Sequence, residues 1–434
     1  MATMKAKDVL IVGSGIAGPT LASFLLSSSR PYRITMLERA PRQRGCGQNV
    51  DVRGGGRTIL KKLGIEALLE QRTTGEEGVE IIGEEGEVRA RLPADRSREV
   101  ESGTGDMEVL RGHLAQILWE RSQAVNDRAR GNSSSSLDCI YGEHITELQQ
   151  SQGKVQVRYA NSGAEHEFDL VVAADGVQSQ TRRLAFAHRG IEQPLAGLNL
   201  YGAFFSMRSR ETDSLWRRWF HAPGGRSIML RPDRVNGRTT AFISILNTTD
   251  TRLKDAARLS GEGAITEQQK LLDEHFRSCG WESERIVEDM YASDDFWYNE
   301  IVQVKQQPLS CGSVVLLGDA GYCPYPISGM GTTLAIHGAY TLAGCLQRHL
   351  EDQQAALSEY ELHMRPAIVK GQKMAPGAPN SLNPTTNAGV GVFNNFLSFI
   401  DKSGLAMSMF KLAGPPAKQI EVEDYGFTDL PLKL

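Results

Sequence analysis

Asp8-Val-Leu-Ile-Val-Gly13-Ser-Gly15-Ile-Ala-Gly18, followed at Met36-Leu37-Glu38-Arg39 by a second apolar run ending in an acid, decides the fold of this chain. Val9 to Val12 is a β-branched run that breaks at glycine, Ala17 to Leu26 reads as an apolar helix and Tyr32 to Leu37 as a second strand, which makes a βαβ unit. Gly13 allows the tight turn after the first strand, Gly15 lets the backbone approach a pyrophosphate, and Gly18 allows close packing of helix on sheet. The unpaired N–H groups opening the helix, together with its dipole, favour an anion there. Glu38 then stands where it accepts hydrogen bonds from the hydroxyls of an adenosine ribose, and the same acid opposes a 2′-phosphate.

A second stretch, Val314-Val-Leu-Leu-Gly318-Asp319-Ala-Gly-Tyr-Cys-Pro324-Tyr-Pro326-Ile-Ser-Gly329-Met-Gly331, narrows the dinucleotide to FAD. Asp319 follows an apolar strand and is placed to bind ribityl hydroxyls, while N–H groups from Gly329 through Gly331 to Thr332 face an isoalloxazine ring. The positive helix end would stabilise the negative charge that a flavin collects near N1 on reduction. Asp175-Gly176, ending the buried run Asp169 to Ala174, is less specific: an ordinary strand-ending turn reads the same way.

With 434 residues the chain has room for two domains sharing a substantial core. Its 48 basic and 52 acidic residues leave a net charge of -4, which offers no field to hold nucleic acid or an anionic membrane, so the expected partner is a small molecule. The cysteines at 46, 139, 279, 311, 323 and 345 form no CxxC pair, and the nine histidines no HExxH, which points to a reducing, cytoplasmic setting without a metal site. No stretch has the length of a membrane span. Val390 to Leu412 is interrupted by Asn394, Asn395, Asp401, Lys402 and Ser403 and reads as a helix docked on the core.

The expected architecture is α/β: a Rossmann-like FAD domain discontinuous over 1–75, 106–186 and 308–375, an inserted, mostly antiparallel substrate sheet over 76–105 and 187–307, and a helical C-terminal segment over 376–434. Thr58 to Leu69 reads as one helix, Asn132 to Ser136 as a flexible link, and Leu200 to Met207, Trp216 to Phe220, Arg226 to Leu230 and Thr239 to Leu246 as strands. Tyr201, Phe205, Met207, Phe220 and Met229 are candidates for a substrate wall, although alternation puts only half of such residues on any one face. Arg226 is a candidate to orient a substrate oxygen, or simply an exposed strand-end arginine.

Gly13-x-Gly15-x-x-Gly18 with Glu38-Arg39, Asp175-Gly176, and Gly318-Asp319 with Pro326 and Gly329-x-Gly331 resemble the three signatures of the group A flavoprotein monooxygenases, the family of para-hydroxybenzoate hydroxylase. The branch most resembled contains the tetracycline-inactivating monooxygenases and natural-product tailoring enzymes. The resemblance implies that Arg111 contacts FAD and that Arg53 lies by the flavin near the substrate, with Pro326 and Gly329 on the flavin-side wall. It implies reduction by a transiently bound NAD(P)H, with NADPH favoured, and oxygen transfer to a small cyclic or aromatic metabolite through a flavin C4a-hydroperoxide, without a protein nucleophile. It also implies a monomer or small homo-oligomer. Tyr322-Cys323 and Met330 depart from the family pattern, which puts the pocket lining near the flavin in question. A flavin oxidase or dehydrogenase and a catalytically silent FAD-bound protein are the alternatives.

Overall fold

A computed structural model describes residues 5–45, 47–95, 104–105, 107–132, 134–186, 194–211, 213–233, 237–261, 263–413 and 420–430. Cys46, Ser133 and parts of the segments 76–105, 187–307 and 376–434 lie outside the described residues. Lys7–Val12 sits at the centre of a six-stranded sheet in the order Ser310–Cys311, Val314–Leu316, Leu170–Ala173, Lys7–Val12, Tyr32–Glu38, Ser136–Tyr141. All neighbours pair in parallel except the first two. Both faces are covered, as a continuous apolar run requires. Val9 and Ile11 pack beneath the helices Ala17–Leu26, Arg111–Asn132 and Gly331–Arg348, and Leu10 and Val12 face a small sheet of Ile145–Ser151, Lys154–Tyr159 and Glu165–Phe168.

The second layer is a seven-stranded sheet, Trp297–Val304, Leu195–Arg208, Arg238–Leu246, Arg226–Asp233, Arg217–Ala222, Gly78–Ile82, Val88–Pro93, antiparallel except where Arg217–Ala222 runs alongside Gly78–Ile82. Its outer face is covered by the helices Thr251–Arg258, Ala264–Phe276 and Ser283–Ala292 through Leu253, Leu272, Phe276 and Met290. The helix Asn387–Lys402 lies across Gly78–Ile82 and Val88–Pro93 through Leu397 and Ile400. Its opposite side leaves Val392, Phe396 and Phe399 exposed, so it docks by one stripe only. No described helix is long and apolar enough to cross a membrane.

Two local expectations change. The single helix expected over Thr58 to Leu69 is two, Gly55–Lys62 and Glu66–Glu70, because Gly64 takes φ +70° and turns the chain between them. The serine-rich link expected up to Ser136 ends in the edge strand Ser136–Tyr141, which the short polar and apolar mixture Ser-Leu-Asp-Cys-Ile-Tyr does not announce. Asn126 on the preceding helix holds that strand in place, accepting from Leu137 N at 2.9 Å and donating to Leu137 O at 3.1 Å.

The glycine turn is set by close approach. A Cβ on Gly18 would lie 2.1 Å from Gly13 O, and one on Gly13, at φ +115°, would lie 2.3 Å from Ala174 O. Gly18→Ala therefore has to push helix from turn, and an urea denaturation series should show a loss of about 1–3 kcal/mol; an unchanged midpoint would contradict the close packing.

Candidate functional site

The carboxyl ends of the central strands converge on one edge, where open α/β sheets bind ligands. Gly13 N donates to Leu37 O at 2.7 Å, Ala174 N to Val12 O at 2.8 Å and Leu317 N to Ala173 O at 2.9 Å, which brings Gly13, Glu38, Asp175 and Asp319 to the same edge. Glu38 is partly buried and accepts from Ser14 N at 3.1 Å and Ala40 N at 2.8 Å. Gln43 bonds the Ser14 hydroxyl at 3.0 Å and closes this corner. Arg39 points outward, exposed.

From that corner a continuous lining runs to the second motif. Arg111 is exposed at the start of its helix, and a Cβ on Gly15 would stand 3.7 Å from its guanidinium. The same guanidinium acts on Asp319, an exposed residue whose carboxyl is nonetheless surrounded by protein. Desolvation pushes the Asp319 carboxyl up, opposed by Arg111 and by the Cys323 thiol. A Cβ on Gly331 would lie 3.9 Å from Asp319 Oδ1, and one on Gly329 would lie 3.4 Å from Arg53 Nε. Gly15, Arg111, Asp319, Gly331, Gly329 and Arg53 thus form one track, ending at the exposed Pro326. Thr332 is buried just inside the helix Gly331–Arg348. Its neighbour Thr333, which sequence reading passed over, accepts from Arg53 N at 3.0 Å and so ties the arginine's backbone to that helix.

Asp175 is placed differently. Its carboxylate accepts from the Ser179 hydroxyl, from Thr181 N at 3.0 Å and from Thr181 Oγ1 at 2.9 Å, so it caps the helix Gln180–Phe186. Buried Arg182 from that helix donates to Ala320 O at 2.7 Å and links the turn to the Asp319 motif.

The substrate-wall candidates need correction. Tyr201, Phe205, Met207 and Phe220 lie on the outer face of the seven-stranded sheet, under the three covering helices. Met229 alone of that set faces inward, in a cluster with Leu200, Phe242, Leu246, Ile301 and Tyr325 against which Phe204, Trp219, Ile327, Met374 and Leu382 pack half-buried. The reason is strand parity, since neighbours alternate between faces. Arg226 also faces the helices, donating to His275 O at 2.6 Å and Pro223 O at 2.7 Å. Tyr322 and Met330, the departures from the family pattern, are core residues: Tyr322 Oη lies 3.1 Å from Tyr360 Oη, and Met330 is wholly buried. Of the three departures, only Cys323 reaches the site, through Asp319.

Sequence reading also missed a group of buried charges at the seam. Arg53 pairs with Asp51 at 3.1 Å; Arg217 reaches Glu76 at 2.7 Å and Glu108 at 3.4 Å; Arg231 reaches Glu76 at 3.2 Å and also pairs with Glu108. Asn49 and Thr74 donate to the other Glu108 oxygen, at 2.9 and 2.8 Å. Asp51-x-Arg53 and Arg217-x-Trp219-x-His221 carry the alternation of half-buried strands, but only the fold brings them together. Desolvation works to raise all three carboxyls. For Asp51 and Glu76 the arginines outweigh it and the pKa falls, whereas for Glu108 desolvation wins and the pKa is pushed up to about 7.

Two stability effects follow. Glu76→Gln leaves Arg217 and Arg231 short of charge and should cost about 3–5 kcal/mol in urea denaturation. Because the Glu108 pKa rises on folding, its stabilising contribution is full below the ordinary 4.5 and is lost as pH rises through about 7. Between pH 5 and pH 8 the wild type should therefore lose stability relative to Glu108→Gln; a constant difference would refute the raised pKa.

The family model described as FAD binding domain matches residues 6–370. Among curated relatives, the FAD-dependent monooxygenase asL6 of Sarocladium schorii is 32% identical, over 91% of this chain and 92% of its own. Monooxygenase CTB7 of Cercospora beticola is 30% identical over 98% and 99%. Of solved structures, the tetracycline destructase Tet(51) superposes with a TM-score of 0.75 at 25% identity, covering 97% of this chain and 100% of that one. The glycine turn, the Asp319 track and these likenesses agree, and the chain belongs to the FAD-binding family of group A flavoprotein monooxygenases, as an FAD-dependent oxidoreductase.

Proposed function

We propose that the protein uses NAD(P)H and molecular oxygen to oxygenate a small cyclic or aromatic secondary metabolite. The observation that carries this reading is the apolar inward face of the seven-stranded sheet, Phe204, Trp219, Met229 and Phe242, set against the Tyr325–Ile327 side of the flavin motif. Apolar walls suit a ring system, and the name of the tetracycline destructase neighbour, which denotes a polycyclic target, supports that class. The residues present suit FAD: Glu38 for the adenosine ribose, the Gly13–Gly18 turn and Arg111 for the pyrophosphate, Asp319 for the ribityl chain, and the backbone from Gly329 to Thr332 for the ring. When bound, the flavin supplies the redox chemistry that activates oxygen.

The chain's own task is to hold the substrate against the ring and exclude water. Arg53, kept by Asp51 and Thr333, lies with its ion-pair partner beside Gly329. With one glycine fingerprint and that one assigned to FAD, NAD(P)H, with NADPH favoured, binds transiently. The enzyme acts in the cytoplasm as a monomer or small homo-oligomer. The domain limits remain those proposed, 1–75, 106–186 and 308–375 for FAD and 76–105 and 187–307 for substrate, with 376–434 as the helical segment.

Asp319→Ala should lose most bound FAD on dialysis, read from the flavin-to-protein absorbance ratio; full occupancy in the Asp319 variant would refute the assignment. Anaerobic stopped-flow reduction should be slow without substrate and faster with it, and product formed under oxygen-18 gas should carry one labelled atom. Product without label would make the protein an oxidase or dehydrogenase.

A further inference from the structure

The inward face of the sheet is apolar except for a few groups, and almost all of these are already satisfied. Arg217 and Arg231 are closed on Glu76 and Glu108. Ser227 and Ser244 bond each other at 2.9 Å, and Thr240 reaches Asn49. Besides the Gln303 side-chain oxygen at the far edge of the sheet, the exceptions sit side by side on the strand Arg217–Ala222. His221 is 2% exposed; one side of its ring hydrogen-bonds the Leu382 backbone, no side chain partners either ring nitrogen, and the Trp219 indole N–H has no partner. Buried polar groups in native proteins are hydrogen-bonded with few exceptions, and an exception on the face that meets the flavin motif calls for a partner atom.

The surroundings say what kind of atom. His221 lies 4.7 Å from Trp219 and 4.6 Å from Phe393, centroid to centroid. Trp219 in turn packs on the cluster of Met229, Phe242 and Tyr325 that forms the proposed pocket wall. We propose that His221 is the polar anchor of this pocket and accepts a hydrogen bond from a hydroxyl on a neutral aromatic ring system. This rests on the oxygenase reading above and names the substrate class within it. Burial pushes the His221 pKa down to about 3, so the ring is neutral at working pH; with its N–H turned to the Leu382 backbone, it offers one lone pair. A carboxylate substrate meets no such welcome: the two arginines on this face already hold carboxylates of the protein, and a neutral imidazole supplies no countercharge.

The test uses the FAD-loaded enzyme and three probes, 2-naphthol, naphthalene and 2-naphthoate, titrated while the visible flavin spectrum is followed. In the wild type, 2-naphthol should bind about tenfold or more tightly than naphthalene, the worth of one good hydrogen bond, and more tightly than 2-naphthoate. His221→Phe should erase the preference for naphthol while leaving naphthalene within about threefold, and His221→Asn should restore part of it. Equal flavin content and equal melting temperatures certify the variants; should His221→Phe fail to fold, His221→Leu against His221→Gln makes the same comparison. A naphthol preference unchanged in the variant, a preference for naphthoate, or no spectral response to naphthol up to its solubility would overturn the proposal. Absence of oxygen-18 in product, with the naphthol preference intact, would instead overturn the oxygenase reading and leave the anchor standing.

Discussion

Charge buried where the seven-stranded sheet meets the short strand pair Asn49–Asp51 and Glu108–Leu110 is the constraint on which the rest of the molecule depends. Three arginines, 53, 217 and 231, and three carboxylates, 51, 76 and 108, come from separate stretches of chain and close on one another out of water. Stripping water from each ion costs several kcal/mol, recovered only if the partners hold good geometry and the remaining lone pairs are filled. Asn49, Thr74 and Thr104 fill them. Such a cluster tolerates little sliding. It therefore holds the inward face of the seven-stranded sheet at a fixed distance from Arg53 and Gly329, where the flavin ring and substrate have to meet.

The opposite end of the site is held by absence of side chain. Gly13 and Gly18 let turn, helix and neighbouring strand approach to distances no Cβ permits, and this leaves the helix N-terminus open to an anion. Between the two ends, Asp319 is exposed at the site edge although protein surrounds its carboxyl. A group in that position with a raised pKa gains from a ligand that brings hydroxyls to it. Asp175, by contrast, spends its oxygens on a helix cap, and it shapes the site through Arg182 and the Ala320 carbonyl.

How much was legible in the chain depends on the range of the forces involved. The helix Ala17–Leu26, the strands on either side of it, the glycine turn, Glu38 and the Asp319 motif are written locally: glycine spacing, a β-branched run and an acid at the end of a strand act over a few residues and need no partner to be recognised. The edge strand Ser136–Tyr141 was not legible, because its place comes from Asn126 and from pairing with Tyr32–Glu38.

By itself the sequence determined the class of fold, the cofactor and the residues of the dinucleotide turn. Tertiary structure decided which side of the seven-stranded sheet faces the second glycine motif. A period of two groups Tyr201 with Phe205 and Trp219 with His221, yet it cannot say which group faces the partner layer. That choice came from three helices packed over Leu272, Phe276 and Met290 and from ion pairs spanning Asp51 to Arg231. Both are contacts between residues far apart in the chain, and they exist only once the sheet has formed.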